Sequence, residues 1–145
     1  MSDFVKRGLE RARIYTESLA RRFDVRLVML FGSLVRGDWT ESSDVDLLVI
    51  ADELTDDPRE NYVMLKEYGV EPVGIASRNA LRELWRLNFV MLDALDYGRP
   101  LYRDEEFYQG LMKEFRRVKE VYGLERDEKG WRWSRGPPRS PEHSA

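Results

Sequence analysis

Two carboxylates, Asp44 and Asp46, stand at the head of the apolar run Val45-Asp46-Leu47-Leu48-Val49-Ile50, and a Gly32-Ser33 pair ends an earlier apolar run, Val25 to Phe31. Side chains two apart on a strand share a face, so the two carboxylates would stand roughly 6.6 Å apart at Cα, at about 3.3 Å per residue. Like charges held together beside an apolar core are costly unless a cation lies between them. A hard, oxygen-seeking ion such as Mg²⁺ is the fitting partner. Gly32 lets backbone approach a ligand closely, and the first N–H groups of a short helix starting near Ser33 would hold an anion, with the Ser33 hydroxyl as a further donor. A phosphate-holding turn beside a dicarboxylate is the equipment of metal-assisted phosphoryl or nucleotidyl transfer. Each half alone also has a plainer reading: solvated acids at a strand entry, and a strand-ending turn with a helix cap.

The elements that must position these groups are legible in the spacing of apolar residues. Val5, Leu9, Ala12, Tyr15 and Leu19 mark one face of a helix from Asp3 to about Arg22. Strands are expected over 25–31, 45–50 and 70–76, with a short edge strand near 100–103. Pro58 begins a helix that Gly69 has ended, Ser77 caps the next, and Phe89 to Tyr97 forms a third that stops at Gly98. Asp104 caps a long helix carrying Phe107, Leu111, Phe115, Val118 and Tyr122 on one face. The expected class is α/β (α+β), a small mixed sheet flanked by helices with a long C-terminal helix. From about residue 126 periodicity gives way to Gly130, Gly136, Pro137, Pro138 and Pro141, which reads as a flexible basic tail. Removing residues 129–145 is therefore expected to leave the melting temperature nearly unchanged.

Composition narrows the chemistry. The chain of 145 residues is one domain's length, 42% hydrophobic and 35% charged, with 24 Lys+Arg against 27 Asp+Glu. Its net charge of -3 argues against a general nucleic-acid binder. The distribution is uneven: the last seventeen residues carry four basic groups against Glu142, so a basic tail follows an acidic body. There is no cysteine, and the one histidine is His143 in the tail, so thiol catalysis, Cys/His zinc sites and a positioned histidine base are excluded. No apolar run reaches membrane-span length and the N-terminus has no apolar signal core, which leads to the expectation of a cytoplasmic protein without membrane contact.

At residues 31–50 a resemblance is plain. Gly32-Ser33, Arg36-Gly37 and Ser43-Asp44-Val45-Asp46-Leu47 are similar to the nucleotidyltransferase motif of the DNA polymerase beta superfamily, and most resemble its minimal, MNT-type nucleotidyltransferases. The resemblance implies a nucleotidyltransferase-like domain over residues 1–125, followed by the tail at 126–145. It implies Mg²⁺-dependent transfer of a nucleoside monophosphate from an NTP, ATP first, to an acceptor hydroxyl, with protein AMPylation as one form. A two-metal site is implied, held by Asp44, Asp46 and a third carboxylate on a neighbouring strand. Asp52 lies too far along its strand; Glu71, at the head of the next one, is the candidate, and a solvated strand-start acid is its alternative. The implied partner is a HEPN-domain protein, which the chain would either modify or simply cover as an antitoxin. A regulator that binds nucleotide without turnover is the remaining alternative, and a homo-oligomer or the partner would complete the acceptor side of so small a site.

Three neighbouring residues have two readings each. Arg36 suits phosphate oxygens, or an ion pair with Asp38 or Asp44. Trp39 would stack on a base or pack the loop, and Ser43 would cap the turn into Asp44. In the tail, Trp131-Arg132-Trp133 mixes aromatic and basic groups as single-strand binders do, but is too short for a groove.

Overall fold

The computed structural model describes residues 2–135. Its centre is a four-stranded mixed sheet in the order β3-β2-β1-β4. Strand β1 (Val25–Phe31) runs antiparallel to β2 (Val45–Ala51), and β2 runs parallel to β3 (Val70–Ala76) across the helix α3 (Pro58–Leu65). The edge strand β4 (Arg99–Arg103) lies antiparallel to β1. The expected strands and the small mixed sheet are thus present, with boundaries differing by a residue.

Both faces of this sheet are covered, which is why its central strands read as nearly continuous apolar runs. On one face Val28, Leu30, Val45, Leu47 and Val49 pack under α1 (Asp3–Arg22) and the Trp39 loop. On the other, Leu27, Met29, Leu48 and Ile50 pack under α4 (Ala80–Trp85), α5 (Phe89–Tyr97) and α6 (Glu105–Tyr122). Side-chain caps at Asp57, Asn88 and Asp104 satisfy the first N–H groups of α3, α5 and α6. Ser77 opens a 3₁₀ turn, Ser77–Asn79, instead of capping α4 directly. Its hydroxyl bonds the Asp52 carboxylate at 2.5 Å, so it ties the end of β3 to the end of β2.

The C-terminal segment differs from the expected flexible tail. Residues after α6 form a hairpin, β5 (Leu124–Asp127) and β6 (Gly130–Trp133), that folds back onto the body. Trp131 donates its indole N–H to Asp93 at 2.9 Å and meets Phe115 edge-on at 6.4 Å between ring centroids, while Trp133 stacks on Phe89. Two aromatic side chains with apolar partners outweigh the local Gly and polar signals that made the segment look unstructured. The rest of the expected tail, including His143, lies outside the described residues. Among the described residues no helix is long and apolar enough to cross a membrane.

Candidate functional site

The strand register carries the central geometry. Asp46 is the direct partner of Glu71 on parallel β3 and of Phe31 on antiparallel β1. Side-by-side partners in a sheet project from the same face, so the Asp46 and Glu71 carboxylates rise together. Both strands begin here, and β1 ends here, so the acids sit at the rim of the sheet where a ligand can reach them.

Asp46 and Glu71 are partly buried and Asp44 is exposed; burial perturbs Asp46. Its carboxyl is pushed above the ordinary carboxylate range, first by burial and then by the negative charges of Glu71 and Asp44; Arg36 and the Ser33 N–H pull the other way. The Asp46 carboxylate lies so close to Gly32 that a Cβ at that position would come within 2.1 Å of Oδ2. Gly32 also has φ +76, a conformation that side chains disfavour. Glycine is therefore required here first by an internal carboxylate, whereas the sequence suggested an approaching ligand.

The turn itself is one short helix, α2 (Ser33–Arg36). One backbone donor at this turn is engaged inside the protein, Gly32 N–H by the Tyr97 hydroxyl at 3.1 Å, and Ser33 N–H faces Asp46 closely enough to favour its charged form. Tyr97 accepts a second bond, from Arg36 Nη1 at 3.0 Å. Arg36 also lies 3.8 Å from Asp38, so one of its two readings, the loop ion pair, is present, and its fork remains exposed beside the turn. Trp39 packs the loop: it is buried, stacks on Phe4 and donates to the Asp44 carbonyl at 3.1 Å. Ser43 accepts from Thr40 N–H at 3.1 Å and thereby closes the turn that delivers Asp44.

A cation is built into the acid group. Lys66, the residue that follows α3, places Nζ 3.7 Å from Asp44 Oδ2 and 3.4 Å from Glu71 Oε2, and donates to the Val70 carbonyl at 2.5 Å. Burial works against its charge, but Asp44 and Glu71 outweigh that and hold it more firmly protonated than an ordinary lysine. Its position is fixed from both ends of α3. Tyr15 bonds the Leu65 carbonyl at 2.6 Å, and buried Asn61 bridges Thr55 and the Gly74 carbonyl at 2.9 and 3.2 Å.

Asp44 and Glu71 thus converge on one ammonium, and Asp46 and Glu71 on one register position. Among the described residues no three acidic side chains close tightly enough to form a ready metal cluster. The donor set nevertheless suits a hard divalent cation: it is all oxygen, and the mutual repulsion that raises Asp46 is what such an ion relieves. Neither Lys66 nor Tyr97 was singled out in the sequence. Each reaches the site through tertiary packing, and neither belongs to the Gly-Ser or Asp-x-Asp spacing.

Comparison with known proteins identifies the family. A family model described as "Nucleotidyltransferase domain" matches residues 12–127. A candidate protein adenylyltransferase of Methanocaldococcus jannaschii is 35% identical over 63 residues, which is 43% of this chain and 63% of the relative, so the match spans less than two thirds of that protein. A solved structure of a candidate nucleotidyltransferase from Sulfolobus solfataricus shares the fold at 19% identity, with TM-score 0.53, over 72% of this chain and 87% of that one. A complex of MNT antitoxin with a tri-AMPylated HEPN toxin of Shewanella oneidensis is also similar, at 19% identity and TM-score 0.47, covering 77% of this chain and 89% of that chain.

Proposed function

This chain belongs to the nucleotidyltransferase domain family, and we propose that it transfers a nucleoside monophosphate from an NTP, ATP first, to an acceptor hydroxyl. The observation that carries the reading is the parallel register of Asp46 and Glu71, with Asp44 beside them and the Gly32–Ser33 turn against Asp46. Asp44, Asp46 and Glu71 would hold Mg²⁺, which supplies Lewis-acid polarisation of the α-phosphate and a lowered pKa at the acceptor hydroxyl. The chain's own groups do the rest. The Ser33 hydroxyl and the Arg36 guanidinium hold triphosphate oxygens, neutralising charge that shifts onto pyrophosphate as the bond to the α-phosphorus breaks. The new bond joins the acceptor oxygen to that phosphorus, and the acceptor's proton passes to a carboxylate on the open side, where Glu71 is half exposed.

A polypeptide hydroxyl is the acceptor class to try first, since the matched relative from M. jannaschii is named for adenylylation of protein. A HEPN-domain protein is the partner that the motif resemblance proposes. A second reading, in which the chain covers its partner without modifying it, is favoured by the exposed apolar side chains Val63, Met64 and Tyr68 on and just after α3. Incubation with Mg²⁺, each labelled NTP and cell lysate, with the wild type beside Asp46→Asn, decides between them. Label transferred to protein by the wild type alone supports the transfer reading. Stable capture of a helical partner with no label in either sample supports the covering one.

A further inference from the structure

The Tyr97 hydroxyl lies at the Gly32–Ser33 turn although its residue closes α5, far from the motif in sequence. A phenol oxygen has two lone pairs and one proton. Both lone pairs are committed here, one to Gly32 N–H at 3.1 Å and one to Arg36 Nη1 at 3.0 Å. The geometry leaves the O–H as the free valence, directed away from those two donors, and no described residue accepts it in a hydrogen bond given by the structure. The ring is fixed as well: the Arg126 guanidinium lies over it, 4.5 Å from the centroid, and Arg126 is itself 3.3 Å from Asp93, the carboxylate that also holds Trp131. The hydroxyl is therefore an oriented donor with one guanidinium at its oxygen and a second over its ring, a surrounding that favours an anionic acceptor.

We infer that Tyr97 is a phosphate-contacting residue, donating its hydroxyl proton to an oxygen of the nucleotide's triphosphate beside Arg36, with the β5–β6 hairpin bracing its ring. This inference rests on the nucleotide reading above, but concerns binding and needs no turnover. Tyr97 would supply a donor at the turn where the Gly32 N–H is already used internally.

The test is calorimetric binding of MgATP and of inorganic triphosphate to the full chain, as wild type, as Tyr97→Phe, and with 3-fluorotyrosine incorporated at position 97. Loss of one hydrogen bond to a charged acceptor should weaken both ligands roughly tenfold in Tyr97→Phe. Fluorination makes the phenol a better donor and a poorer acceptor. It should tighten both ligands if the hydroxyl donates to phosphate, and weaken them if Tyr97 only holds Arg36 and Gly32 in place. Unchanged affinity in Tyr97→Phe, or weaker binding by the fluorinated protein, overturns the assignment while leaving nucleotide binding intact. A wild type that binds neither ligand overturns the nucleotide reading itself and Tyr97's role with it, whereas binding without transfer removes the enzymatic reading alone.

Discussion

The Asp46 carboxylate occupies the space that any side chain at Gly32 would need, with Oδ2 2.1 Å from the position of a Cβ there. Gly32→Ala must therefore displace the carboxylate as well as adopt φ +76. The expected cost is on the order of 3 kcal/mol, measured by urea denaturation. Adding Asp46→Ala should recover part of that loss by opening the space, and the backbone share should remain. Equal stability of Gly32→Ala and wild type would contradict this packing.

Asp46→Asn keeps the shape and removes the charge. Burial and the charges of Glu71 and Asp44 raise the folded-state pKa of Asp46 above its unfolded value of 3.8. Such a group contributes stability below the unfolded value, and that contribution is lost as pH rises through the folded value. In chelator the variant should consequently melt a few degrees above wild type at pH 7, with the difference closing below about pH 4. Nucleotidyl transfer, followed as pyrophosphate release, should fall by orders of magnitude. A variant that melts below wild type at pH 7 would show that the Asp46 charge stabilises the fold.

How far the sequence led can be read residue by residue. The strand carrying Asp46 and the strand headed by Glu71 were visible because each is a short apolar run bounded by turn residues. The family resemblance called for a third carboxylate, distance along a strand then disfavoured Asp52 and left Glu71 as the candidate, and the structure has Asp52 in an ion pair with Arg26 at 2.9 Å. Lys66 and Tyr97 were not legible, because a lone lysine after a helix and a tyrosine before a glycine carry no local signal. The packing of Tyr15 and Asn61 around α3, and of Arg126 on Tyr97, gives them their positions. The β5–β6 hairpin was missed for a related reason: Trp131 is held by Asp93, and no local pattern announces a partner 38 residues away.

Lys66→Met removes the ammonium shared by Asp44 and Glu71. Without metal the variant should lose about 1 kcal/mol, as partly exposed ion pairs allow. Divalent cation should then bind about fivefold more tightly, because the acids have lost their internal counter-charge. Mn²⁺ titration followed by electron paramagnetic resonance measures this directly. Weaker binding in the variant would mean that Lys66 positions the carboxylates for the ion and does not compete with it.

Trp131→Ala should cost roughly 2 kcal/mol, since it removes both the bond to Asp93 and the edge contact with Phe115. Truncation at residue 128 should lower the melting temperature at least as far, contrary to what the tail's composition suggested. Calorimetric melting of the two proteins checks both. A truncated chain that melts with the full-length protein would mean that the hairpin adds nothing to the body.

Strand β1 lies between β2 and β4, so its pairing is complete only when Arg99–Arg103 is present. Arg26 at its start binds Asp52 and Asp104, both at 2.9 Å and across very different stretches of chain. During synthesis the motif residues leave the ribosome before β4, so the strand that ends at their turn has an open edge until β4 emerges. The nascent chain thus presents Gly32, Asp44 and Asp46 well before it can hold them rigidly, and Tyr97 arrives just ahead of the strand that closes the sheet. The turn at Gly32 should therefore become rigid abruptly, once Arg99–Arg103 pairs with β1.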